Sequence, residues 1–279
     1  MTVTPLLPDM CPPEIWPEDG SSALDASGQA GEPDIAEYIE ALLASPRLGP
    51  QVAHHRVLSG QRAELRPSHR PWPAAISGIL KTQGIANLYA HQAMATDLIR
   101  SGRHVVVATP TASGKTLIYN LPVIERFLAD PDCKALYLFP LKALAQDQLK
   151  AFEALTAAWP AAARPRAAIY DGDTTDWHRR KIREDPPTVL LTNPEMLHLS
   201  LLPHHERWSA FLAGLSFVVV DEVHTYRGVM GSHMAQVFRR LHRICGRMGV
   251  APTFVFCSAT VGNPKELANQ LSDLEVQAV

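Results

Sequence analysis

VVVATPTASGKT, residues 105–116, joins an apolar β-branched run to a loop that ends in glycine, lysine and threonine. Farther along the chain, VVVDEVH at Val218–His224 joins a similar apolar run to two acidic residues. Each apolar run is typical of a buried strand. Residues that follow parallel strands gather at the carboxyl edge of the sheet. Together the two stretches predict an α/β fold with a phosphate-binding loop and a pair of acids at one sheet edge.

Strand and helix patterns alternate after Tyr89. Strands are predicted at His104–Ala108, Ala135–Phe139, Ala167–Tyr170, Val189–Thr192, Phe217–Asp221 and Thr253–Cys257. The predicted helices include Gln92–Ser101, Lys115–Leu128 and Lys142–Ala158. Such alternation favours a parallel sheet covered by helices on both faces.

The composition is that of a chain able to bury a sizeable core. Of its 279 residues 46% are hydrophobic. It has no run of about 18 uncharged apolar residues, and no basic region followed by an apolar one at the N-terminus. We therefore expect a cytoplasmic protein without a membrane partner. The four cysteines include no C-x-x-C pair, which argues against a disulfide framework and a zinc site.

Charge is distributed unevenly along the chain. Residues 1–50 carry nine acids and one base and are rich in proline, which leaves 19 acids and 25 bases in the rest. We expect residues 1–50 to form a disordered acidic tail containing a short helix at Asp34–Leu43. Residues 51–88 are predicted to be a helical lead-in, and residues 89–279 the nucleotide-binding domain. The basic excess after residue 50 permits a nucleic-acid partner without requiring one.

The loop before Lys115 has the chemistry of a phosphate cradle. Backbone N–H groups and a helix N-terminus face anionic oxygens, while a lysine reaches the outer phosphates and a hydroxyl ligates magnesium. Thr109 stands where the general pattern has glycine. The residues predicted to bind the nucleotide here are Thr111, Ala112, Ser113, Gly114, Lys115 and Thr116.

The acids after the second apolar run complete this chemistry. Asp221 is expected to hold magnesium together with Thr116, and Glu222 to orient or deprotonate the attacking water. Lys115, Asp221 and Glu222 are therefore the predicted catalytic residues. The sequence SAT at Ser258–Thr260 follows another predicted strand.

These motifs, TPTASGKT, DEVH and SAT in this order, resemble those of superfamily-two DEAD/DEAH-box helicases. The resemblance implies the first RecA-like lobe of such an enzyme, with ATP and Mg²⁺ as cofactors. It implies that Gln92 in LYAHQ contacts the adenine, and that His224, Ser258 and Thr260 couple hydrolysis to movement. It also implies that the segments FPLKALAQDQ, YDGDT and TNPEML contact the nucleic-acid strand. The residues predicted to do so are Pro140, Lys142, Gln146, Gly172, Asp173, Thr192 and Pro194.

Two further stretches narrow the resemblance. HHRVL at His54–Leu58 and TYRGVMGSHMAQVFRRLHRIC at Thr225–Cys245 resemble the bacterial mitomycin-repair helicases and the RecQ4-like DNA helicases. That branch implies 3′–5′ unwinding of single-stranded or forked DNA in repair. Family members use a second RecA-like lobe, in cis or in trans, to supply an arginine, and we expect that lobe to be missing from this chain. Two alternatives remain open, an RNA helicase lobe and a nucleotide-dependent binding module without catalysis.

Accessory residues receive plainer interpretations. The cluster Arg179, Arg180, Lys181 and Arg183 is expected to be a solvated basic face. One helix face is expected to be either solvated or in contact with a nucleic-acid strand. It carries Arg239, Arg240, Arg243 and Arg247. The tryptophans are expected to pack in the core or to anchor loops rather than to stack on bases: Trp159, Trp177 and Trp208.

Overall fold

The computed structural model describes residues 34–57, 63–110 and 113–279, and the chain divides into units 1–61 and 62–279. The first unit contains helix α1 (Ile35–Ala44) and a 3₁₀ turn (Gly49–Gln51). The Asp34 carboxylate caps α1 by accepting a hydrogen bond from Ala36 N–H at 2.9 Å. The short helix expected here is confirmed. The predicted disorder of residues 1–33 lies outside the described residues.

The second unit is built on a seven-stranded parallel sheet. The strands along the chain are β1 (Leu65–Arg66), β2 (Leu88–Tyr89), β3 (His104–Ala108), β4 (Lys134–Leu138), β5 (Ala167–Ile169), β6 (Val189–Thr192), β7 (Leu215–Val220), β8 (Thr253–Ser258) and β9 (Val276–Ala278). The order across the sheet is β5-β6-β4-β7-β8-β3-β9, and each pair of neighbours runs parallel. Strands β1 and β2 form a separate antiparallel pair.

Helices connect these strands. The α-helices of the second unit are α2 (Ala74–Thr82), α3 (Ala90–Arg100), α4 (Lys115–Ala129), α5 (Lys142–Thr156), α6 (Asp176–Glu184), α7 (Pro194–Met196), α8 (Ser209–Ala213), α9 (Gly228–Arg247) and α10 (Pro264–Ser272). Short 3₁₀ segments lie at Ala161–Ala163, His205–Trp208 and Val223–Thr225, and a π-helix lies at Leu197–Leu201.

The predicted strands and helices are confirmed to within two residues at each end. Among the described residues of the lead-in, α2 is the α-helix, and β1 pairs with β2. The proline-rich stretch RPSHRPWP interrupts the helical pattern, since proline lacks the N–H that a helix needs. Strand β9 was not predicted.

Apolar side chains cover both faces of the sheet. Alternation along β3 sends Val105 and Val107 to one core and Val106 to the other. Helices α2, α3, α4 and α5 cover the first core, whereas α9 and α10 cover the second. Burying one side chain such as Phe238 contributes about 1.5–3 kcal/mol. The predicted doubly covered parallel sheet is confirmed.

Three cysteines in the described part of the chain, Cys133, Cys245 and Cys257, are buried and free of disulfide bonds. None of the helices described is both long and apolar enough to cross a membrane.

Arg100 fixes the lead-in to the sheet domain. Its side chain is 3% exposed and donates to both carboxylate oxygens of Glu125 at 2.7 Å. It also donates to the carbonyl oxygens of Arg70 and Pro71, and its guanidinium lies 3.9 Å from the centre of the Trp72 ring. One buried cation therefore joins the lead-in, α3 and α4.

Arg100→Ala should lower the free energy of unfolding by about 3–5 kcal/mol, because it leaves Glu125 without its buried partner. Urea unfolding followed by circular dichroism measures this change. The matched control is Arg126→Ala, which breaks an exposed pair with Asp130 at 3.1 Å and should cost less than about 1 kcal/mol. Equal effects of the two substitutions would contradict the assignment.

Two histidines lie against Phe254 near the amino ends of β3 and β8. Phe254 N–H donates to His104 Nδ1 at 3.0 Å, and the His242 ring stacks on the Phe254 ring with centroids 4.9 Å apart. Burial lowers the pKa of both imidazoles, and the cation of Arg103 lowers that of His104 further. For His242, the charge of His104 also lowers the pKa while Asp273 opposes the shift.

Acid should destabilise the wild type more than His242→Phe, which keeps the stacked ring but cannot titrate. The pKa of His242 is lower in the folded state than its ordinary value of 6.5, so the unfolded state binds more protons below that pH. The contribution to stability is complete above pH of about 6.5 and is lost as the pH falls. Urea midpoints between about pH 7.5 and 5.5 should therefore fall further for the wild type. Parallel pH profiles would rule this out.

Candidate nucleotide and nucleic-acid sites

The loop between β3 and α4 has the backbone of a phosphate cradle. Gly114 adopts φ +73°, and a Cβ added there would clash with the Gln92 amide nitrogen. Only glycine fits at this position without strain. Helix α4 begins directly afterwards at Lys115, so its N-terminal N–H groups face the loop. The predicted contacts from Thr111 and Ala112 lie outside the described residues.

Thr109 stands where the general phosphate-loop pattern has glycine, and its side chain has a structural function. Its hydroxyl lies 2.6 Å from the Ser113 hydroxyl, and this hydrogen bond joins the beginning of the loop to its end. Glycine has no side chain with which to make this contact. The threonine therefore closes the loop by a side-chain hydrogen bond.

Lys115 connects the loop to β8. Its ammonium donates to Thr109 O at 2.7 Å and to Ser258 O at 2.9 Å. The Ser258 hydroxyl is buried and has no hydrogen-bond partner in the described residues. The structure thus brings together two motifs that are far apart in the sequence, TPTASGKT and SAT.

Gln92 is tied to the loop on both sides of its amide. Its oxygen accepts from Tyr89 N–H at 3.0 Å, and its nitrogen donates to Gly114 O at 3.0 Å. The residue is 3% exposed. A primary amide has one more donor and one more acceptor position available. The structure therefore reveals a bracing contact with the loop that the sequence did not predict, and the adenine contact stays a prediction.

The two acids follow β7 at the same edge. Asp221 N–H donates to Leu138 O at 3.0 Å, which extends the β4–β7 ladder by one residue. Glu222 N–H donates to the Asp221 carboxylate at 2.9 Å. Glu222 has φ +50°, a left-handed conformation that is uncommon for glutamate and clusters at functional sites.

Asp221 lies in a poorly hydrated position beside a like charge and an opposite charge. Burial raises its pKa to about 6, while the N–H of Glu222 lowers it, the charge of Glu222 raises it and the charge of Lys115 lowers it. A carboxylate and the Thr116 hydroxyl are the hard oxygen ligands that Mg²⁺ prefers, with phosphates and waters completing its shell. No cluster of three or more acidic, histidine or cysteine side chains that could hold a metal occurs in the described ranges. The donor set therefore fits Mg²⁺ delivered with a nucleotide.

His224 lies between the acids and SAT. Its Nδ1 atom is 3.2 Å from the Glu222 carboxylate and 3.3 Å from Ala259 N. The nitrogen can donate to Glu222 when it carries a proton or accept from Ala259 when it does not, but it cannot do both. Thr260, the third predicted coupling residue, is exposed two residues after Ser258. The coupling functions themselves stay predictions.

The residues predicted to contact the nucleic-acid strand follow β4 and β5, which lie on either side of β6 in the sheet. Lys142 and Gln146 lie on α5 and are exposed, and Pro140 just before them is half-buried. Gly172 and Asp173 are exposed after β5. The Lys142 ammonium pairs with the Asp173 carboxylate at 2.7 Å, and this contact raises the pKa of Lys142. The segments FPLKALAQDQ and YDGDT therefore meet.

Two of the residues predicted to contact the nucleic-acid strand are buried. Thr192 is 2% exposed, and its hydroxyl donates to Tyr170 O at 2.5 Å. Pro194 is also buried, in the first turn of α7. Both side chains are buried, and the nucleic-acid contacts expected at these two positions stay predictions. Thr192 joins the end of β6 to the loop after β5.

Sequence reasoning missed Arg179 and Tyr226. Arg179, expected to be solvated, donates to the carbonyl oxygens of Thr174 at 2.8 Å and Asp171 at 2.9 Å. Its position in a helix directly after a predicted contact loop was the available signal. Tyr226 has a buried hydroxyl without a partner in the described part of the chain, and burial, with the charges of Asp221 and Glu222, raises its pKa.

Comparison with known proteins agrees with this geometry. The model of the DEAD/DEAH box helicase family matches residues 89–267. The uncharacterised ATP-dependent helicase YprA of Bacillus subtilis is 41% identical over 238 residues, or 85% of this chain and 31% of YprA. The ATP-dependent helicase HRQ1 of Saccharomyces cerevisiae is 44% identical over 180 residues, or 64% of this chain and 17% of HRQ1. The crystal structure of the DUF1998 helicase MrfA bound to DNA and AMPPNP aligns with a TM-score of 0.80 at 40% identity, over 88% of this chain and 34% of MrfA.

The chain thus spans from about a sixth to a third of the length of these relatives. The family match covers more than half of the chain, and it includes the phosphate loop, both acids and SAT. The chain belongs to the DEAD/DEAH box helicase family.

Proposed function

We propose that this chain is the ATP-binding lobe of an ATP-dependent DNA helicase that unwinds in the 3′–5′ direction during DNA repair. One observation carries the proposal, the contact of the Lys115 ammonium with Ser258 O at the edge where Asp221 and Glu222 also lie. A phosphate-binding lysine next to two acids is the arrangement that phosphoryl transfer needs. A cytoplasmic location belongs to the same proposal.

The residues of the edge have separate functions in this scheme. Lys115 would exchange its contacts with carbonyl oxygens for the outer phosphates, and Gly114 allows the backbone to approach them. Thr116 and Asp221 would hold Mg²⁺, which would neutralise charge on the phosphates. Glu222 would accept a hydrogen bond from the attacking water and direct it at the phosphorus.

Turnover in this scheme uses a second RecA-like lobe, in cis or in trans. The relatives are at least about three times as long as the part that this chain matches. An arginine contributed by another lobe raises the rate of phosphoryl transfer by roughly 10³–10⁵. We therefore expect nucleotide binding by this chain, with slow hydrolysis until that lobe is present.

DNA is the nucleic acid that we propose as the substrate. The crystal structure of MrfA contains DNA. A structure of the Lhr helicase of Mycobacterium smegmatis, which is 32% identical with a TM-score of 0.66, contains single-stranded DNA. The stretches His54–Leu58 and Thr225–Cys245, which resemble the mitomycin-repair and RecQ4-like branch, support the direction and the repair function. The path of the DNA strand would be lined by Pro140, Lys142, Gln146, Gly172 and Asp173.

Lys115→Ala should weaken the binding of a fluorescent ATP analogue by roughly 10- to 100-fold, because it removes charged hydrogen bonds to phosphate. Lys81→Ala is the matched control, since Lys81 is an exposed lysine on α2. Urea unfolding of both variants shows whether the fold is kept. Unchanged nucleotide affinity in a folded Lys115→Ala protein would count decisively against the proposal.

Lys142→Ala and Asp173→Asn should change DNA binding in opposite directions. Removing Lys142 deletes one phosphate contact, which reduces the slope of log K against log salt by about 0.7 for a single strand. Asp173→Asn releases Lys142 from its ion pair and removes a charge that repels phosphate, so affinity should rise a few-fold.

Anisotropy titrations with labelled oligo(dT) at several salt concentrations measure both effects, and oligo(U) of the same length tests the preference for DNA. Stronger binding of oligo(U) would favour the RNA alternative. Weaker binding of oligo(dT) by the Asp173→Asn variant would mean that Asp173 contacts the strand directly.

A further inference from the structure

Trp177 is exposed on α6, whose other apolar residue, Ile182, packs against the core. The residue is 57% exposed on α6, DWHRRKIRE, whereas Trp208 is 1% exposed and Trp159 is partly buried in the core. The packing expected for Trp159 and Trp208 is found, but that expected for Trp177 is not. An exposed indole ring on a basic helix is a surface on which a planar group can stack.

A lysine and a histidine flank this ring. The Lys181 ammonium lies 5.3 Å from the centre of the Trp177 ring, and the His178 ring meets it edge-on with centroids 4.7 Å apart. Helix α6 carries four basic and two acidic residues. Lys181 forms no ion pair with any residue in the described ranges, and Arg180 has only a distant, exposed contact of 3.9 Å with Glu184. The face therefore presents an aromatic ring and two available positive charges.

The same face continues the predicted path of the strand. The loop that contains Gly172 and Asp173 leads into α6, and Arg179 braces that loop through its carbonyl oxygens. A groove of about 1010 Å³ between α5 and α6 is lined by Lys142 and Gln146 on one side and by His178 and Lys181 on the other. A strand that contacts Lys142 therefore reaches α6 along one continuous surface.

We propose that the exposed face of α6 is an additional contact for single-stranded DNA, in which Trp177 stacks on a base and Arg180 and Lys181 bind phosphates. This inference rests on the proposed function. Aromatic rings beside cations bind single strands, because every unpaired base has a face for stacking. Duplex DNA hides those faces, so the stacking selects a single strand over a duplex.

Charge supports a nucleic acid as the occupant. Among the other cations at the groove, Lys142 pairs with Asp173, and Arg166 pairs with Asp185 at 2.6 Å. Arg164 donates to the carbonyl oxygens of Ala157 and Trp159. The charge of the groove is therefore nearly balanced, and the basic excess of the region lies on α6. A polyanion that passes through the groove gains its phosphate contacts at Arg180 and Lys181.

Trp177→Ala should weaken the binding of the 279-residue chain to oligo(dT) by roughly tenfold, as expected for the loss of one base stack. Trp177→Phe should restore most of the affinity, because it keeps an aromatic face. Saturating oligo(dT) should also quench part of the tryptophan fluorescence of the wild type, and that part should be missing in both variants. Blunt duplex of the same length should bind the wild type and Trp177→Ala equally.

The double variant Arg180→Ala, Lys181→Ala should reduce the salt slope by about 1.4, since each phosphate contact contributes about 0.7. Arg103→Ala is the matched control, because Arg103 is an exposed arginine at the amino edge of the sheet, before β3. It should leave the slope unchanged.

Three results would overturn the inference. If the wild type binds DNA and Lys142→Ala weakens it, but Trp177→Ala and the double variant bind like the wild type, the inference fails while the proposed function stands. If Trp177→Ala weakens duplex binding as much as oligo(dT) binding, the stacking on a base is wrong. If the wild type binds no DNA at low salt, the proposed function fails and the inference fails with it.

Discussion

The pairing of β3 with β8 is the constraint on which the nucleotide site depends. The register places Ala108 opposite Ser258, so both strands end at the same level of the sheet. The loop that follows β3 therefore lies beside SAT, and Lys115 at the start of α4 reaches Ser258 O. A shift of one residue in this register would also turn the apolar side chains of β3 to the wrong face. The packing of the core and the position of the lysine are thus fixed by the same ladder.

A strained residue stands next to this site. A non-glycine residue held at positive φ, such as Glu222, costs of order 1–3 kcal/mol and persists only when its surroundings enforce it. Two hydrogen bonds from Thr225, from N–H at 2.9 Å and from the hydroxyl at 2.8 Å, hold Glu222 O. A third, from Glu222 N–H to Asp221, fixes the other side of the peptide. The left-handed conformation of Glu222 turns the backbone sharply directly after Asp221. The two acidic residues therefore occupy different positions although they are adjacent in the chain.

The sequence predicted those elements whose burial comes from continuous apolar runs. The bounds of β3 and β6 match their predictions because each run is flanked by polar or turn residues. Strand β9 was missed because VQA is too short to show a period, and it is recognisable only through its pairing with β3. The burial of Thr192 and Pro194 was not foreseen, since a motif gives residue types but not burial. Arg179 and Trp177 were also not predicted correctly. The basic pattern of their helix does not show that Arg179 braces a loop while Trp177 faces water.

The order of the strands places the two candidate sites side by side on one edge. The residues proposed to bind the nucleotide follow β3, β7 and β8. Those proposed to bind the nucleic-acid strand follow β4 and β5, on the other side of the boundary between β4 and β7. At that boundary Asp221 N–H donates to Leu138 O at 3.0 Å, and Leu138 precedes Pro140 and Lys142 by only a few residues. We propose that a change in the position of Asp221 on binding a metal–nucleotide complex would act through this hydrogen bond on the end of β4. Because packed elements shift between discrete arrangements rather than deforming continuously, such a shift would be passed to the segment that carries Pro140 and Lys142.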